Sequence, residues 1–256
     1  FAEGIRRHGN VILGCQLRLD SSATAPDLSD FALPLSPEKM KRFRLFPYPN
    51  MVAPIPELRQ AVSGIGILDV APDRDGIVRR IPLVHQYQNI LIPQFAFAAW
   101  KGASENSAQM NVNRNSLQIG QTQIPLDKDG NFIIYWYGKG GPEGAFTYKT
   151  FSSVMVSAIA IKRGLPPQIP AEFFRNKYVI IGATAAGLKD LRPTPFTTEG
   201  DFPGMEIWAT ALSNFQNRHF IRPLPGFFVW LAAFLVALAV MICFFHQLQK
   251  YALNQQ

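Results

Sequence analysis

Cysteine is nearly absent, with Cys15 and Cys243 the only two in 256 residues. A disulfide framework is excluded. That scarcity does not exclude an oxidising compartment, because a domain of about 220 residues buries roughly 70–75% of its unfolded-chain surface without staples. Charge is scarce as well. Charged residues make up 17% of the chain against 48% hydrophobic, a balance that excludes disorder. Basic side chains outnumber acidic ones by 25 to 18, for a formal charge of +7. The one dense basic cluster is Lys39, Lys41, Arg42 and Arg44, and no zinc finger or RNA-binding aromatic motif accompanies it. It reads as a solvated face, and no nucleic-acid partner is expected. Enzyme signatures are missing too: there is no His-Glu-x-x-His, Gly-x-Ser-x-Gly or Cys-x-x-Cys, and no His with carboxylates at metal spacing. No catalytic residue, metal or cofactor is therefore expected. The chain begins with Phe1 and shows no signal peptide, so it reads as a fragment with any targeting sequence upstream.

What is present is a long apolar run. Phe227 to Phe245 is 19 residues without a charge, Gly or Pro, and twelve of them are Leu, Ile, Val or Phe. At 1.5 Å per residue it covers about 28 Å, close to the roughly 30 Å of bilayer hydrocarbon, and its insertion is favourable by on the order of 5 kcal/mol. A transmembrane helix is the expectation, with Pro225 and Gly226 stopping any helix from running into it. Arg218 and Arg222 precede the run and Lys250 follows it, which leaves the positive-inside rule undecided.

Upstream, the apolar periods change from helical to alternating and back. Short helices are expected at Ala2 to Arg7 and Glu57 to Val62, and strands at Asn10 to Leu19 and Gly64 to Val70. Between them Asp20 to Pro56 carries seven prolines and reads as a functional loop or partner-contacting flap. Gly64-x-Gly66 lacks the third glycine of a dinucleotide loop and signals a closely packed strand instead. Pro93 to Lys101 reads as a buried helix opened by proline, and Phe151 to Lys162 as a helix ended by Gly164 and Pro166-Pro167. Tyr178 to Gly182 (YVIIG) reads as a strand buried on both faces of a parallel sheet. Glu206 to Asn217 reads as a helix burying Trp208, Ala211, Leu212 and Phe215. The fold class is α/β: a parallel or mixed sheet flanked by helices, with added β-hairpins and a C-terminal transmembrane helix.

Two stretches share one design, Asp73-Arg74-Asp75-Gly76 before IVRRIPLV and Asp127-Lys128-Asp129-Gly130 before NFIIYWY. Each is an Asp/Gly turn entering a β run, a hairpin signal. A calcium loop fails on register, because with Gly76 or Gly130 sixth the first ligand position is Ala71 or Pro125 and the twelfth Pro82 or Trp136. Asp75 and Asp129 are expected to be turn residues. A phosphate loop fails at Gly182 to Asp190, where Leu188 separates Gly187 from Lys189 and Asp190 stands where a hydroxyl should be. What remains there is a small-residue turn at a strand end, the position where open α/β sheets usually take ligands.

Four motifs in order carry a resemblance: PDRDGIVRRIPL (Pro72 to Leu83), IPLDKDGNFIIYWYG (Ile124 to Gly138), NKYVIIGATAAGLKDLRPTPF (Asn176 to Phe196) and PGMEIWATALSNF (Pro203 to Phe215). With a membrane span following them, they resemble the type 2 CHASE domain, the extracellular sensory module of bacterial cyclases and histidine kinases. The resemblance implies residues 1–222 as an N-terminally truncated sensory domain outside the cytoplasm, a helix at 227–245, and a cytoplasmic segment starting at 246. It implies a bacterial inner membrane location, a small-molecule or protein signal, a homodimer through the full-length protein, and an output domain, cyclase or kinase, elsewhere in that protein. Ligand-binding candidates are Thr184, Asp190, Thr194, Arg79 and Glu206. Trp208 stands where this family leads one to expect His. The rival readings are a membrane-tethered module binding a partner through the proline-rich flap, and an unfamiliar enzyme using Asp190 with Thr184 and Thr194.

Overall fold

The alternating run after Asn10 does form a strand, β1 (Ile12–Arg18), behind a first helix α1 (Ala2–His8) closed by Gly9 in the left-handed region. In the computed structural model residues 1–20, 25–43, 45–103, 110–184, 190–224 and 226–253 are described. The chain divides into two units, Phe1–Ile221 and Arg222–Gln256.

The proline-rich stretch is structured. It contributes α2 (Pro37–Met40), β2 (Pro47–Tyr48), β3 (Asn50–Val52) and the start of α3 (Pro56–Arg59). Leu28, Leu33, Leu35, Met40, Phe43 and Met51 from this stretch are all buried. These Leu, Met and Phe side chains anchor the prolines to the core, so the stretch expected as a functional loop or partner-contacting flap is in large part packed structure. Of the basic cluster, Lys39 and Lys41 are exposed and Arg44 lies outside the described residues.

Next come β4 (Gly64–Ile67), β5 (Arg80–Pro82), β6 (Val84–Tyr87), β7 (Ile90–Pro93) and α4 (Phe95–Gly102). β1 pairs parallel with β4 and antiparallel with β3. β6 pairs parallel with β2 and antiparallel with β7. A single parallel bridge, Ile67 to Gln94, joins the two sets. Gly66 behaves as the sequence suggested, since a Cβ there would sit 2.4 Å from the Phe95 Cα. Any side chain would push α4 off the strand.

A meander follows, β8 (Met110–Asn113), β9 (Ser116–Ile119) and β10 (Thr122–Pro125), and then β11 (Asn131–Ile133), α5 (Phe151–Lys162), β12 (Leu191–Thr194), β13 (Thr197–Pro203) and α6 (Gly204–Asn217). The mixed α/β class holds, in small sheets flanked by helices. The main core gathers Phe97, Ile81, Leu83, Phe132, Phe202, Ile207 and Phe215, with α4 and α6 joined by edge-to-face rings such as Phe97–Phe215 at 6.0 Å. A second cluster, Cys15, Leu28, Ile65, Ile67, Tyr87 and Ile92, lies around β1, β4 and the β6–β7 hairpin. Trp208 belongs to the core, 5% exposed and against Phe95.

Two expectations are overturned. Tyr178 to Gly182 forms no ladder, and Tyr178, Val179 and Ile181 are exposed. Its β-branched composition favours a strand, but among the described residues no neighbouring strand supplies the pairing that makes one. The two Asp/Gly turns, moreover, do not each begin a hairpin. Their β runs pair with each other instead, Arg80 opposite Ile133 and Pro82 opposite Asn131.

The second unit is α7 (Gly226–Leu253). Gly226 to Gln247 is long and apolar enough to cross a membrane, with mean hydropathy 2.8, and none of it is buried. Gly226 is the first helical residue, and residues 219–224 before it are not helical, so no helix runs into the span from the domain.

Candidate functional site

The expected ligand residues converge only in part, and they do so at the start of α6. Asp190 precedes β12 and its carbonyl accepts the Gly204 N–H at 2.8 Å. Its carboxylate lies so close over Gly204 that a Cβ there would stand 2.3–2.5 Å from its atoms. Only glycine fits between the carboxylate and the helix. The Asp190 carboxylate also has Arg192 at 3.7 Å, a loose ion pair on a half-exposed surface. Gly182 passes the same helix end, its position facing the Met205 side chain. Residues 185–189, the remainder of the near-phosphate loop, lie outside the described residues.

Glu206, in the first turn of α6, is 2% exposed. It accepts the Gly141 N–H at 2.7 Å and the Tyr148 hydroxyl at 2.6 Å through the same oxygen. Burial and the neighbouring Glu206 carboxylate push the Tyr148 phenol upward, so it stays a donor. The positive end of the helix dipole favours both carboxylates. Glu206 thus fixes residues 141 and 148 to α6, a structural duty for a residue expected to face ligand.

The other candidates lie apart from this pair. Thr194 is fully buried, and its hydroxyl is 3.1 Å from that of Thr197 on the neighbouring strand. Thr184 is exposed in the irregular segment. Arg79 follows Val78, whose N–H donates to the Pro193 carbonyl, but its guanidinium turns to Asp73 at 3.2 Å and Asp75 at 2.7 Å. That pairing holds the Asp75 carboxyl down to about 2.

Arg80, not Arg79, is the arginine that joins distant parts, and sequence reading missed it. Its Nη1 donates to Asp127 at 2.8 Å, and its Nε lies 3.0 Å from Asp73, out of line for a hydrogen bond. The two Asp/Gly turns are therefore clasped side by side. Both close alike, Gly76 N–H to the Asp73 carbonyl and Gly130 N–H to the Asp127 carbonyl. Asp75 accepts the Ile77 N–H, as a turn residue should. In the second turn Asp127 takes that role, accepting the N–H groups of Asp129 and Asn131 at 2.9 Å, while Asp129 points outward. A pocket of about 210 Å³ beside Arg80 is lined by Asp73, Asp129 and Asn131. The repeat itself was the available signal, since two like turns in one domain invite a shared partner.

A larger cleft, about 510 Å³, opens where the proline-rich stretch meets the β6–β7 turn, with Ser36, Glu38, Gln86 and Asn89 around Leu33 and Leu91. Its size is that of a small-molecule site. Gln88 in that turn has φ 49°, a strained value for a side chain of its kind. No motif marks these residues.

Among the described residues no three His, Cys, Asp or Glu are grouped to hold a metal. Among the described residues the start of α6 offers a buried carboxylate already bonded, a protonated phenol and a half-exposed carboxylate. That is the chemistry of a shaped, charged surface. The CHASE2 domain family matches residues 1–244, and the chain belongs to it. CHASE2 domains are sensory, extracellular, non-catalytic domains of signalling proteins. No curated protein and no solved structure matches the sequence.

Proposed function

We propose that this chain is the signal-sensing part of a bacterial signal-transduction protein, held in the inner membrane by α7 with residues 1–221 outside the cytoplasm. The observation that carries the reading is the extent of the family match, which runs from the first residue through most of α7 and so takes sensory domain and apolar helix as one unit. A small polar molecule or a protein is the signal, and the 510 Å³ cleft is of a size to take the former. The output domain, a nucleotide cyclase or a kinase, lies on the cytoplasmic side of the full-length protein. A reporter enzyme active only after export, fused behind Gln256, is expected to stay silent, whereas the same reporter inserted at the exposed Gly9 is expected to be active. Activity behind Gln256 would overturn the orientation.

A further inference from the structure

The cleft between the proline-rich stretch and the β6–β7 turn has walls that are tied to each other. The Leu33 N–H donates to the Leu91 carbonyl at 2.8 Å, and the Tyr87 hydroxyl reaches back to the Pro26 carbonyl at 2.7 Å. Its volume of about 510 Å³ is therefore held open by the fold itself, as small-molecule sites usually are. Leu33 and Leu91 supply buried apolar surface, and Ser36, Glu38, Gln86 and Gln88 supply polar groups.

The bonds these polar groups already make decide what they can offer. The Gln86 side-chain nitrogen donates to the Gln88 carbonyl at 3.0 Å, and the Gln88 side-chain nitrogen to the Pro49 carbonyl at 3.4 Å. Each nitrogen is thereby turned toward protein and each amide oxygen, an acceptor, away from that carbonyl. Glu38 is exposed, and its own main-chain N–H and the Ser36 hydroxyl hold its carboxyl below the usual carboxylate range, so it too only accepts. No Lys or Arg lines the cleft among the described residues. Gln88 is also a backbone outlier, the first of two turn residues at φ 49°, where two-residue hairpin turns favour Gly, Asn or Asp. Its 3.4 Å bond to Pro49 is too long to offset that strain by itself. A side chain kept where glycine would sit more easily points to a duty of that side chain.

We propose that this cleft binds a small molecule bearing an amine or guanidine, with its cation on Glu38, its further N–H groups on the amide oxygens of Gln86 and Gln88, and its carbon chain along Leu33 and Leu91. As the identity of the signal this rests on the sensory function proposed above; as a binding site it does not. An anionic ligand would meet an ionised carboxylate and no cation, and a ligand rich in acceptors would face oxygen lone pairs. A wholly apolar ligand would cover these oxygens without bonding them. Charge-assisted bonds from an ammonium or guanidinium group are the strongest that such a set can make.

The test uses the full-length protein in detergent, with agmatine, cadaverine and spermidine as probes in isothermal titration calorimetry. At least one is expected to bind and to raise the melting temperature, whereas glutarate, a dicarboxylate of similar length to cadaverine, is expected to do neither. Glu38→Gln, at an exposed side chain, should weaken the amine about tenfold, the loss of one charge-assisted bond. Glu143→Gln, at an exposed carboxylate outside the cleft, should leave it unchanged. Gln88→Gly should melt at or above wild type, because glycine suits φ 49°, and yet bind the amine about threefold more weakly. Absence of binding by all three amines, equal binding of glutarate, or an affinity unchanged in both Glu38→Gln and Gln88→Gly would overturn the proposal. An export reporter active behind Gln256 would instead overturn the sensory reading and leave Glu38-dependent amine binding standing.

Discussion

His85 makes this domain sensitive to mild acid. It sits on β6 opposite Ile92, 7% exposed, and its Nε2 has no hydrogen-bond partner. Its diagonal neighbour Gln94, on the same face of the hairpin, also has a buried Nε2 without a partner. Burial penalises the charged imidazolium and lowers the pKa from 6.5 to about 4. The folded state therefore binds fewer protons than the unfolded state between those two values, so stability is present above pH 6.5 and is lost as pH falls toward 4. The full gap corresponds to about 3 kcal/mol, and the part lost between pH 7 and pH 5 to about 2 kcal/mol. His85→Leu conserves volume and removes the titration. Urea unfolding of the detergent-solubilised protein at pH 7 and pH 5, followed by near-ultraviolet circular dichroism, measures the difference. Wild type should lose about 2 kcal/mol more than the variant over that interval. Asp69, raised by its own burial, contributes a slope of opposite sign to both proteins and cancels in the comparison. Equal slopes for wild type and His85→Leu would mean that the imidazole is hydrated or paired, and the reasoning would fail.

Three further outcomes are expected. Gly204→Ala should cost about 1–3 kcal/mol through overpacking against the Asp190 carboxylate, and Asp190→Ala in the same chain should recover most of it; a thermal-melt double-mutant cycle with no coupling would show that the two do not touch. Arg80→Ala should cost about 1–2 kcal/mol, since it strips the buried Asp127 of its cation while solvent screens the half-exposed arginine end; a melting temperature equal to that of wild type would dissolve the clasp. Glu206→Leu should cost about 2 kcal/mol by orphaning the Gly141 N–H and the Tyr148 hydroxyl, and spectrophotometric titration should show the Tyr148 phenol ionising at lower pH; an unchanged phenol titration would remove the proposed bond.

Local pattern carried much of this fold and little of its site. The stripe Trp208, Ala211, Leu212 and Phe215 placed α6 and its buried face because helical spacing is written within one turn of chain. The run at 178–182 misled for the complementary reason: a strand is a pairing relation, and composition does not show whether a partner is near. The turns at 73–76 and 127–130 were legible as turns, yet their joining through Arg80 depends on a long-range register. Glu206 was singled out for its motif, and its role as an internal acceptor emerged only from Gly141 and Tyr148, 65 and 58 positions away.

The pairing of β5 with β11, locked by the Arg80–Asp127 contact across 47 positions, gives the chain between them the character of a loop with a closed neck. Its closure entropy depends only weakly on its length, about 0.6 kcal/mol for each doubling. Insertions between α4 and β8 should thus be tolerated over evolutionary time, whereas a one-residue change at either turn would slip the neck and turn its side chains to the opposite face. Relatives of this protein should accordingly differ freely in the spacing between their two Asp/Gly turns while keeping each turn intact.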